Sequence, residues 1–134
     1  MTRRPDWEQR LHDHLAHCAD RAFAWGEHDC ALFSADAVLA MTDVDLAAAY
    51  RGRYRTAIGS VRALRRYGAG TLEATIDASL PSKPVAFAIT GDVVMVDGMA
   101  GICLGAVAVF VGEADGAAQL ITFPRHVWQA AWSV

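Results

Sequence analysis

The chain has 134 residues, 54% of them hydrophobic, enough to bury one core and too few to suggest a second domain. Fifteen acidic residues against twelve basic ones leave a formal charge of -3, which excludes the basic field of a non-specific nucleic-acid binder. No run reaches the roughly 18 apolar residues of a membrane span, and the basic start MTRRPDWEQRLHDH leads into no apolar signal core. The expectation is a single domain over residues 1–134, made in the cytoplasm, with no signal peptide, membrane span, nucleic-acid partner or cofactor. Cys18, Cys30 and Cys103 are odd in number and form no CxxC pair, so reduced thiols are expected rather than a disulfide framework or a zinc knuckle.

In chain order, Pro5 to Phe23 reads as an amphipathic helix, with Pro5 in its first turn and Trp7, Leu11, His14 or Leu15, and Cys18 spaced by three or four. The run AWGEH breaks that pattern at Gly26. Asp29 is placed to cap a second helix whose apolar stripe is Leu32, Phe33, Ala37, Val38 and Met41. After the polar stretch Thr42 to Asp45, LAAAYRGRY, GSVRALRRYG and TLEATIDASL read as short helical pieces separated by Gly52, Gly59 and the Gly68 to Gly70 pair. Past Pro81 and Pro84 the composition changes to the valine-rich runs DVVMVD, GICLGAVAVFVG, AAQLITFP and HVWQAAWSV, expected as successive antiparallel strands. The fold class is therefore α+β: residues 1–80 mainly helical and 85–134 mainly strand, the helices packed on a small C-terminal antiparallel meander.

Chemistry is expected at the junction before the second helix. Cys30 falls in its first turn, where exposed main-chain N–H groups favour a thiolate, so position alone makes it the candidate nucleophile. The competing reading of Cys30 is a small core residue facing the sheet. Asp29 serves as cap or as a catalytic group, and capping alone explains it. Among His12, His14 and His17 only His14 and His17 share a helix face, and no carboxylate completes a metal set. Arg51, Arg53 and Arg55 alternate with Gly52 and Tyr54 as either an anion or partner site or a solvated, partly stacked surface. Trp25, Trp128 and Trp132 are expected in the core or at its rim, with stacking on a sugar face near a cleft as the alternative, and Cys103 as a structural residue within a strand.

The segment WGEHDCALFSADAV resembles the surroundings of the nucleophile in NlpC-type, papain-like cell-wall peptidases, where Trp-Gly, a spacer and Asp-Cys open the central helix. GDVVMVDGMAGICLG resembles that family's next block, in which Gly-Asp begins a strand and a second strand ends in Gly-Ile-aromatic-Leu-Gly. With the insert containing RGRY, residues 20 to 134 are similar to a group of NlpC-like proteins encoded among phage or prophage tail genes. The resemblance implies a papain-like core and a cleft at Cys30. It also implies peptidoglycan peptides or tail subunits as partners, and a place in the tail of a phage-like particle.

Where those peptidases keep their histidine, two residues before the glycine of the second strand, this chain has Met99, expected to face Cys30. The family's orienting polar residue falls among Val109, Phe110 and Val111. Two substitute bases are available: His28, two residues from Cys30, and His126, in the loop FPRHVW. The resemblance thus implies a tail-associated structural or binding module with a degenerate cysteine-peptidase site. The alternative is a cysteine hydrolase or acyltransferase on peptidoglycan peptides that uses Cys30 and a non-standard histidine.

Overall fold

A computed structural model describes residues 1–112 and 120–134. Four α-helices, α1 (Trp7–Cys18), α2 (Cys30–Thr42), α3 (Ala57–Tyr67) and α4 (Leu72–Ser79), precede a sheet of six strands. The strands are β1 (Ser82–Lys83), β2 (Val93–Val96), β3 (Met99–Cys103), β4 (Val107–Val111), β5 (Leu120–Pro124) and β6 (Ala130–Trp132). All pair antiparallel in the order β1-β6-β2-β3-β4-β5. The α+β class and the order of helices before strands are as expected. No helix among the described residues is long and apolar enough to cross a membrane.

The helices start where side chains satisfy their first N–H groups. Asp29, Thr56 and Thr71 accept from Leu32, Gly59 and Ala74, capping α2, α3 and α4. Helix α2 is apolar nearly all round and lies buried between other layers, as such a helix must. One side, with Phe33, Val38 and Met41, meets Leu11 and Cys18 of α1 and the inward residues Val93, Met95, Ala100, Ile102, Val109 and Val111 of the sheet. Its other side, with Leu32 and Ala35, packs under Tyr50, Tyr54 and Ala63.

Strand alternation carries Val94, Val96, Cys103, Ala108, Phe110 and Ala131 to the second face of the sheet. That face is covered by two 3-10 turns, Val85–Phe87 and Arg125–Val127, with Trp128 beside them. Arg125 fastens this layer: its guanidinium donates to the carbonyls of Val85, Ala88 and Gly105 and lies 4.5 Å over the Trp128 ring.

Four sequence expectations need correction. Helix α1 ends at Cys18, not Phe23, because the chain must turn back there: residues 24 to 28 close a tight loop through paired Ala24 and His28 main-chain bonds. LAAAYRGRY forms successive turns rather than a helix. Asp45 caps the Ala47 N–H, Arg51 is tied back to Asp36 and Asp45, and Gly52 takes φ +77°. Gly59 lies inside the first turn of α3 and separates nothing. The strands also depart from a simple meander. GICLGAVAVFVG splits into β3 and β4 at Gly105 (φ +107°), and β6 returns across the second face to pair between β1 and β2. The first three residues of AAQLITFP lie outside the described residues.

Candidate functional site

The turn before α2 is built around one carboxylate. Asp29 is 1% exposed; its Oδ1 accepts the Leu32 N–H at 2.9 Å, and its Oδ2 accepts the Gly26 N–H at 3.0 Å and the Tyr54 hydroxyl at 2.5 Å. Cap, turn and the following loop are thereby locked together. Gly26 is required here: it sits at φ +80°, and a Cβ on it would lie 2.1 Å from the Tyr54 carbonyl oxygen.

This packing opens a cavity of about 200 Å³ over Cys30, walled by Trp25, Tyr50, Tyr54, Leu64 and Leu72. A second hollow of about 370 Å³ shares Val61, Leu64, Leu72 and Gly98 with it and runs on to Met95 and Gln129, so the two form one groove between α3, α4 and the sheet. Cys30 is half-buried, a free thiol at the head of α2. The expectation that the helix start lowers its pKa is not met. Burial pushes the thiol up and the Asp29 charge adds to this, while the main-chain N–H groups of Ala100, Ala31 and Cys30 pull down without prevailing. Tyr50 is pushed up to about 12 and Tyr54 is raised as well, burial being the first cause for both, so neither hydroxyl is a base at neutral pH.

The histidines go elsewhere. His28 is 1% exposed, edge-on to Phe33 at 6.2 Å, with no hydrogen-bond partner on either ring nitrogen among the described residues. Burial and the nearby Arg21 and His14 hold its pKa below the usual histidine value. It lies towards α1 and is not among the cavity walls. His14 stacks on Phe33 and donates through Nε2 to the Phe33 carbonyl at 3.2 Å. His12 and His17 are exposed, and among the described residues no group of three or more His, Cys, Asp or Glu is placed to hold a metal ion. His126 is exposed on the turn that covers the second face of the sheet, the side away from α2, so it is not brought to Cys30.

Met99 does not face Cys30 either. The two-residue turn Asp97-Gly98, both at positive φ, pairs Val96 with Met99 and Met95 with Ala100. Because Met95, Ala100 and Ile102 point to the helices, alternation sends Met99 to the second face, where it packs against the cluster of Val96 and Trp128. On the helix side of β3 stands Ala100, whose main-chain N–H favours the Cys30 thiolate. Val109 and Val111 point inward and Phe110 outward, all apolar and buried.

Of the other candidates, Trp25 lines the cavity, Trp132 donates to Asp77 at 2.6 Å, Trp128 donates to the Phe123 carbonyl at 3.0 Å, and Cys103 is fully buried in β3. Arg51 bridges Asp36 and Asp45, and Arg53 stacks on Tyr67 at 4.9 Å. Sequence reasoning missed Tyr50 and Tyr54 as walls of the cavity; their spacing of four around RGR, two aromatics in a run of small and charged residues, was the available signal. It also missed Asp92, the aspartate of the Gly-Asp motif. Asp92 is fully buried and receives Arg3 (3.1 Å), Lys83 (2.7 Å) and the N–H groups of Ile89 and Val134.

No curated protein matches this sequence. A family model does match residues 2–134, and on that span the chain belongs to DUF6950, a domain of unknown function.

Proposed function

We propose that this protein is a tail-associated structural or binding module of a phage or prophage, with an NlpC-like, papain-type core whose cleft holds a cell-wall peptide or partner without cutting it. The observation that carries the reading is the pairing at Cys30: a thiol at a helix start over an open groove, with its pKa raised and no histidine among the groove's walls. Attack by such a thiol lacks the base that takes its proton and the acid that protonates the leaving amine, a combination that costs about 10²- to 10⁴-fold. The tail assignment rests on the motifs WGEHDC and GDVVMVDGMAGICLG and the RGRY insert.

A muropeptide assay tests the proposal, with an active NlpC-type enzyme as positive control. Wild type, Cys30→Ser, His28→Ala, His126→Ala and Met99→His are all expected at background. Met99→His stays silent because its side chain leaves on the wrong face of β3. Robust wild-type turnover that disappears in Cys30→Ser would establish the hydrolase or acyltransferase reading instead, and loss in one histidine variant would name its base.

A further inference from the structure

Charge is divided unevenly along this chain. Between Asp45 and Glu73 there is no acidic residue, yet six arginines occur there: Arg51, Arg53, Arg55, Arg62, Arg65 and Arg66. All fifteen acids and the other six basic residues lie outside the segment, a formal -9 against +6 within it. Arg51 is neutralised by Asp36 and Asp45. Among the described residues no salt bridge engages the other five. Arg53 and Arg66 are moreover held against one ring, at 4.9 and 5.4 Å from the centre of Tyr67. The π-face offsets part of that crowding of like charge. A carboxylate bound between two guanidinium groups would offset the rest.

The same helix forms the rim of the groove. Val61 and Leu64 of α3 wall both hollows, and Arg65, four residues after Val61, stands on the same helix face as Val61. Ile58 and Val61 are 67% and 47% exposed beside it. The cavity over Cys30 therefore offers an apolar slot next to guanidinium groups that make no salt bridge among the described residues, while Glu73 lines only the second hollow, on its α4 side. Nucleic acid or a polyphosphate presents dense charge with no aliphatic group for the slot. A polypeptide that carries acids around an apolar side chain matches both halves.

We propose that Arg53, Arg62, Arg65 and Arg66, with the groove over Cys30, form the docking surface for an acidic polypeptide segment whose apolar side chain enters the cavity. This rests on reading the cleft as a binding site and names its partner's chemistry. Fluorescence anisotropy with the full chain tests it, using a labelled glutamate–alanine–tyrosine copolymer, polyglutamate of matched length and duplex DNA. The copolymer should bind about tenfold tighter than polyglutamate, the advantage of one buried apolar side chain, and DNA should bind most weakly. Binding should weaken with salt, drop about tenfold or more in Arg53→Glu/Arg66→Glu, and persist in Arg53→Lys/Arg66→Lys. Val61→Ser should remove the copolymer's advantage while leaving polyglutamate unchanged.

Equal binding of the two polymers, tighter binding of DNA, no binding, or binding indifferent to the double reversal would each overturn the assignment. So would self-association in sedimentation that the reversal abolishes, which would give the face to a second copy. Cleavage of the copolymer that is lost in Cys30→Ser would instead sink the non-hydrolytic reading and leave the docking surface standing.

Discussion

Asp29 and Asp92 invite comparison. Each lies in one of the two motifs that resemble the peptidases, each immediately precedes a regular element, and they are 1% and 0% exposed. Their partners differ in kind. Asp29 is held by neutral donors alone, two main-chain N–H groups and the Tyr54 hydroxyl, so its charge remains to act on Cys30, the next residue in the chain. Asp92 is held by two cations as well as two N–H groups, and it joins Arg3, the loop before β2 and Val134 into one knot. Equal burial thus gives two roles: an uncancelled carboxylate shapes the chemistry beside it, whereas a cancelled one fastens distant parts of the chain.

The largest effect that would break this comparison belongs to Asp92. Asp92→Asn removes the anion from two partly buried cations and should cost about 3 kcal/mol, read as a lower denaturant midpoint at unchanged slope. A change under about 0.5 kcal/mol, the range of ordinary surface substitutions, would refute the fastening role.

Asp29 comes next, and its two substitutions separate cap from charge. Asp29→Ala loses the cap and leaves the Gly26 N–H and Tyr54 hydroxyl without their acceptor, at about 2 kcal/mol. Asp29→Asn keeps the oxygen that caps Leu32 but turns its amide NH2 towards the Gly26 N–H, so it should cost about 1 kcal/mol, less than Asp29→Ala. Removing the negative charge should also lower the Cys30 pKa, so alkylation at Cys30, followed by mass spectrometry to separate it from buried Cys18 and Cys103, should begin at lower pH than in wild type. An unshifted profile would show that Asp29 does not act on the thiol.

The smallest effect sharpens the contrast between the groove and the α1 side of α2. Burial depresses the folded-state pKa of His28 and of His14 below the usual value of about 6.5, so each binds a proton more readily when unfolded. Their contribution is present above the unfolded pKa and is lost as the pH falls below about 6.5 and through the folded-state values. Urea midpoints between pH 7 and 5 should fall, and His28→Leu should flatten that slope. A slope unchanged by the substitution would mean that His28 is solvated in solution.

Much of the scaffold was legible in the sequence. The Asp29 cap, the helix it starts and the threonine-capped α3 and α4 follow from local side-chain-to-backbone bonding. The turn loop from Leu46 to Arg53 was not, because its small apolar residues suit a helix while Asp45 and Arg51 hold it in turns through side-chain bonds to each other, to the Ala47 N–H and back to Asp36 on α2. The position of β6 was equally hidden: a strand's alternation says which residues share a face, not which neighbour it pairs with.

By itself the sequence determined the α+β class, the start of α2 at Asp29 and Cys30, and the charge asymmetry, since all depend on residue type and spacing along the chain. Only the tertiary structure decided what surrounds the Cys30 sulfur. Proximity in sequence did not bring His28 into the groove, because its ring is packed against Phe33 on the α1 side of α2. Alignment of the motif did not bring Met99 to Cys30, because the Asp97-Gly98 turn fixes a register one residue out of phase with that requirement. Burial then raised a thiol that its helix position alone would have lowered, a balance between desolvation and local dipoles that exists only once the chain is packed.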